Sequence, residues 1–251
     1  MPSKLSAYLR ASRAPRHSLL FAFPLLLLYE VLAAALSGQQ IGDVRNGADV
    51  LLKSVFASLG GRYGVLAFSI LLFGIGAGLV WRDRKRNGEI RPRVFVGMLL
   101  ESALYALLLG GVAGTLTSLL LHGRLPFAAV APGGPAGMAQ FGLPTQLMIS
   151  LGAGIYEELL FRVLLVSGLA LVGRAVLGLK APAAGIFAAL IGAVIFSLFH
   201  YLGRYGDVFT VRSFTFRAVA GLLFSALYLL RGFGITAWSH ALYDVLLSLW
   251  T

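Results

Sequence analysis

Apolar residues run through this chain in long blocks, not in the strict alternation of a half-buried strand. Seven blocks reach or approach the roughly 20 residues that an α-helix needs to cross hydrocarbon. They cover about 18–36, 63–81, 94–121, 144–172, 183–202, 213–230 and 233–250. The stretch 48–60 (ADVLLKSVFASLG) is apolar but too short to span, and reads as an interfacial or re-entrant helix. Residues 123–143 carry Pro126, Pro132, Gly133, Gly134 and Pro135 and read as a loop. The pattern therefore predicts an all-α fold, a polytopic bundle of seven or eight membrane helices. No internal repeat stands out, and residues 1–251 read as one integral membrane domain.

Polar residues between the blocks set the expected orientation. Lys4, Arg10, Arg13 and Arg16 precede the first block, and six more basic residues (Arg82, Arg84, Lys85, Arg86, Arg91, Arg93) crowd segment 82–93. Lys and Arg collect on the cytoplasmic side, and the two intervening spans allow both segments to lie there. Trp81 borders the second segment, as an interfacial anchor would. Seven spans then place the far end of the chain outside. A charged start followed by an apolar run also resembles a signal peptide. The run Ser18–Leu36 is as long as a full span and reads as the first membrane helix, with Ala33, Ala34 and Ala35 keeping a cleavable signal as the alternative. A bacterial plasma membrane, with the N-terminus cytoplasmic, is the expected location.

Composition agrees with a bilayer as solvent. Of the 251 residues, 58% are hydrophobic and only 12% charged, with a mean hydropathy of +0.85. A soluble domain of this size needs far more charge on its surface. The formal net charge is +11, which on a soluble protein would suggest nucleic acid. Here the basic residues flank apolar blocks, where they meet anionic headgroups, so a nucleic-acid partner is not expected. Cysteine is absent, which removes disulfides, thiol nucleophiles and thiolate metal sites.

Charges inside hydrocarbon cost roughly 2.5–3.5 kcal/mol each on insertion scales, so each needs a reason. The fourth block holds Glu157, Glu158 and Arg162. On an α-helix Glu158 and Arg162 are i,i+4 and pair on one face, while Glu157 points about 100° away. One carboxylate is then neutralised and its neighbour left to face a cavity, which separates their roles. A packing ion pair with a spare glutamate explains the same residues without chemistry. His200 closes the run Ile195–Phe199, and His240 and Asp244 lie i,i+4 in the last block. Burying six such residues on three helices in one common cavity costs less than burying them separately.

Read in order, Glu157-Glu158 with Phe161-Arg162, then Phe196 and His200, then His240 and Asp244, the motifs resemble those of the CPBP family. That family includes the eukaryotic CAAX prenyl endopeptidase and bacterial Abi-type proteins. The resemblance covers about the last 110 residues, with a catalytic core over about 144–251. It implies a glutamic-type intramembrane endopeptidase without metal or other cofactor. Glu157 would activate a water, His200 would help hold it, and His240 would help stabilise the oxyanion. Glu158 and Arg162 would support them. Asp244 stands where the prenyl endopeptidase branch has Asn. An ionised Asp cannot donate to an oxyanion, so it either stays protonated or orients His240.

Zinc on Glu157, His200, His240 and Asp244 is the mechanistic rival, although no His-Glu-x-x-His helix is present. Glu30 and Glu101 read as helix-packing partners. Ser197 and Ser239 lack the context of a serine nucleophile. The expected substrate is a membrane-associated protein cut near its C-terminus, either lipidated or carrying a C-terminal tag. A non-catalytic immunity or chaperone-like membrane protein of the same fold is the alternative, and a proton-coupled transporter a third reading. The oligomeric state is not legible.

Overall fold

The computed structural model describes residues 3–37, 44–123, 141–203 and 206–250. All the secondary structure described is helical. Helices α1 (Lys4–Arg13), α2 (Pro15–Leu36), α3 (Gly47–Asn87) and α4 (Pro92–His122) make the first half. The second half opens with a continuous helical run. Helix α5 (Leu143–Gly152) passes into a π-helical segment (Ala153–Val166) and then into α6 (Ser167–Ala175). Helices α7 (Ala181–Phe199), α8 (Val211–Arg231) and α9 (Phe233–Trp250) follow. The Gly/Pro-rich loop expected over 123–143 falls largely on 124–140, outside the described residues.

Every expected span is helical. Five helices (α2, α3, α4, α7 and α8) are long and apolar enough to cross a membrane by length and composition. The run 143–175 is divided by the π segment into three shorter helices, and 233–250 carries His240 and Asp244. The chain is an integral membrane protein.

Helix α3 is two legs joined at a kink. Gly60 (φ −162, ψ 22) and Gly61 (φ 56, ψ −136) leave the helical region, and Gly61 takes a φ that suits only glycine. The kink separates the short helix expected at 48–60 from the span expected at 63–81. The legs lie against one another, with the Phe56 and Phe68 rings 5.1 Å apart. The first leg starts at Asn46, whose side-chain oxygen accepts from the Ala48 N–H at 2.9 Å as an N-cap.

Buried ion pairs fasten the bundle. Arg16 in α2 meets Asp83 in α3 at 2.8 Å, and the Arg91 N–H donates to His17 Nε2 at 3.0 Å. Glu101 in α4 accepts from Arg231 at the end of α8 (2.5 and 2.8 Å) and from Tyr8 in α1 (2.6 Å). Burial, together with that carboxylate, pushes the Tyr8 hydroxyl well above the ordinary phenol range. Glu30 accepts from Tyr156 (2.6 Å) and Lys53 (2.9 Å), tying α2 and α3 to the π segment. Both glutamates are thus packing partners, as expected. Helix α1 carries no apolar block, and the hydropathy pattern did not anticipate it. It is held by polar contacts that only the folded chain brings together, including Arg231 to Ser12 at 2.9 Å.

Candidate active site

The π segment carries Glu157, Glu158 and Arg162, and its looser i→i+5 winding changes the geometry expected of an α-helix. Consecutive side chains are turned by less than the α-helical step, and π segments recur at functional sites. Glycine permits its packing. A Cβ on Gly154 would stand 2.5 Å from the Ala237 carbonyl oxygen and 2.6 Å from the Ala241 Cβ. The π segment and α9 therefore touch backbone to backbone, which puts His240 beside Glu158.

Glu158 is fully enclosed, and one of its oxygens is shared. Oε1 lies 3.1 Å from Arg162 Nη1 and accepts from His240 Nδ1 at 2.7 Å. Arg162 is also buried, with its guanidinium centred 4.3 Å from the Phe196 ring and 5.3 Å from the Phe224 ring. Three aromatic or charged surfaces thus surround a cation that water does not reach. The His240 ring stacks on Phe224 at 4.3 Å. The Glu158–Arg162 pair expected from the spacing is present, and His240 is a third member of it.

Glu157 is held differently. Its Oε1 accepts from the uncharged Asn46 amide at 2.8 Å, and its Oε2, like that of Glu158, has no hydrogen-bond partner among the described residues. It keeps 8% exposure where Glu158 has none. It lies within Coulombic range of both His200 and His240. His200 caps α7, and its Nδ1–H donates to the Phe196 carbonyl at 2.8 Å, which leaves Nε2 as the acceptor. The Phe196 ring meets the His200 ring edge-on at 4.7 Å and the His240 ring at 6.2 Å. The two histidines thus flank one aromatic post. Among the described residues, no direct hydrogen bond joins His200 to Glu157 or His240.

Asp244 stands beside His240, its Oδ2 3.6 Å from Nε2, within ion-pair range and beyond hydrogen-bond length. The bond that fixes the His240 ring comes from Glu158, across the helix–helix contact and not along α9. Ser197 and Ser239 donate to backbone carbonyls, of Phe214 and Ile235. Among the described residues, no group of three or more His, Asp or Glu side chains is arranged to hold a metal ion.

Asn46 is the site residue that sequence reasoning missed. Its partner Glu157 is 111 positions away, so no spacing links them. The one signal was local, an Asn-Gly pair opening an apolar helical stretch, which is N-cap chemistry. The cap fixes the amide: Oδ1 faces the helix N–H, so the NH2 group faces Glu157.

Residues 139–246 match the family described as type II CAAX prenyl endopeptidase Rce1-like. They are an Rce1-like domain of the CAAX protease family. The matched stretch contains Glu157, Glu158, Arg162, His200, His240 and Asp244, and excludes Asn46 and α1–α4. No curated protein and no solved structure matches the chain.

Proposed function

We propose that this Rce1-like domain is an intramembrane endopeptidase in which Glu157 activates water. The observation that carries the reading is the unequal use of the two glutamates. Each carboxylate keeps one oxygen without a hydrogen-bond partner among the described residues. But Glu158 is fully enclosed and tied to Arg162 and His240, while Glu157 stays 8% exposed beside two histidines with only the neutral Asn46 amide bonded to it. A carboxylate so placed accepts a proton from water as the water oxygen attacks the scissile carbonyl carbon. His200 Nε2 accepts from the water and helps hold it. The carbonyl oxygen then carries the negative charge, and His240, with Nδ1–H on Glu158, stabilises it through Nε2–H as an imidazolium. When the C–N bond breaks, the proton held by Glu157 passes to the leaving amine. Glu158 and Arg162 act on His240 and the π segment, not on the substrate.

The whole of 1–251 is one membrane domain in this reading, with its catalytic core over about 144–251. Its substrate is a membrane-associated protein cut near the C-terminus. It works in a bacterial plasma membrane with its N-terminus cytoplasmic. No cofactor takes part. The test is cleavage of internally quenched peptides, one farnesylated and one with an apolar tagged tail, by the purified chain and by Glu157→Gln. Loss of turnover in folded Glu157→Gln supports the assignment, and undiminished turnover overturns it.

A further inference from the structure

The fold has two unlike ends, and His200 lies at one of them. At the first end, Arg16 pairs with Asp83, the Arg91 N–H meets His17, and Arg231 reaches Ser12. These contacts bring residues 4–16, segment 82–93 and the end of α8 to one level. Ten Lys and Arg residues lie in those two segments, four in the first and six in the second. Arg174 and Lys180 join them, because α7 starts beside the end of α8, where a Cβ on Gly185 would meet Leu229 at 3.7 Å.

The site residues stand away from that end. Helix α2 climbs about 20 Å from Arg16 to Tyr29 at 1.5 Å per residue, and at that level Tyr29 accepts from the Asn46 N–H at 3.4 Å. Asn46 holds Glu157. Helix α7 climbs a similar distance, about 21 Å from Gly185 to Phe199, and His200 closes it at the far end. The chain that continues from His200 carries Val208 and Phe209, 84% and 57% exposed. Among described residues at this end, Arg45 and Lys53 are paired with Asp49 (2.9 and 2.7 Å) and Arg217 with Asp207, while Arg62 and Arg212 are exposed. So the first end is much the more basic of the two. The membrane places the basic end in the cytoplasm.

We infer that the site opens to the non-cytoplasmic face, and that its substrate is an exported protein still tethered to the membrane near its C-terminus. Such a substrate presents its scissile bond in the outer half of the bilayer, where Glu157 and His200 stand. A lipidated protein confined to the cytoplasm would not reach it. The substrate half of this inference rests on the peptidase reading; the sidedness does not.

The test uses the native absence of cysteine. The full chain is expressed in intact cells as Val208→Cys and, separately, as Arg84→Cys, and treated with a membrane-impermeant maleimide. The expected result is labelling of Val208→Cys without lysis, and of Arg84→Cys only after permeabilisation. The reverse pattern overturns the inference and returns the substrate to the cytoplasmic side. In parallel, protein C-termini are compared between cells carrying the wild type and cells carrying Glu157→Gln. Exported proteins that keep their C-terminal segment only in the variant support the substrate class, and accumulation of uncut cytoplasmic lipidated proteins overturns it. If neither set changes while Val208→Cys labels from outside, the peptidase reading fails and the sidedness stands.

Discussion

At the scale of single residues, the site depends on how one carboxylate is shared. Glu158 serves both Arg162 and His240, so its loss has two consequences. Glu158→Gln leaves a buried guanidinium without its counter-charge and weakens the bond that fixes the His240 ring. Breaking a buried pair costs about 3–5 kcal/mol, so this variant should unfold earlier in detergent and lose turnover together. Arg162→Ala should share the defect, and the double variant should be little worse than either single one. Additive losses in thermal unfolding would contradict the pairing. The carboxylates, Arg162 and both histidines were legible because charge in an apolar block is costly and conspicuous. Asn46 was not, because an uncharged residue at a helix start draws no notice until the fold brings it to Glu157. Spacing along one helix pointed to Asp244 beside His240, and it stands 3.6 Å from Nε2; the shorter bond, from Nδ1 to Glu158 on a neighbouring helix, had no such signal.

At the scale of elements, the π segment and the α3 kink decide where the site residues sit. The kink was readable, since two glycines between apolar stretches of unequal length mark a break. The π winding was not, because nothing in its composition separates it from an α-helix, and the i,i+4 pair forms in either. Its contact with α9 is the more demanding feature. Gly154→Ala would drive a methyl group into the Ala237 carbonyl and Ala241, and rigid backbone on both sides leaves little room to yield. Overpacking of this kind costs about 1–3 kcal/mol. Displacing α9 also moves His240 from Glu158, so turnover should fall further than stability alone explains. Wild-type activity and melting temperature in Gly154→Ala would show that the close approach is unimportant.

At the scale of the whole molecule, hydropathy located the helices and charge located one face. The packing order was not legible, because lipid and protein interiors are equally apolar and the pattern cannot say which face of a span meets which. Polar nodes settle it. The node of Glu101 with Arg231 and Tyr8 joins α4, α8 and α1 at the basic end, remote from Glu157. Glu101→Gln should therefore lower stability, by about 3 kcal/mol for a broken buried pair, while the molecules that remain folded keep full turnover. A loss of turnover at unchanged stability would place Glu101 in the chemistry instead.

The central claim is that Glu157 is the base, and one comparison tests it most directly. Wild type and Glu157→Gln are purified in detergent, matched for folded protein by thermal unfolding, and given the same quenched peptides. Glutamine keeps the shape and can still meet the Asn46 amide through its oxygen, but it cannot take a proton from water. The account predicts an unchanged unfolding temperature and turnover lower by about 10²–10⁴-fold, the contribution of a positioned general base. Full turnover in folded Glu157→Gln would contradict it.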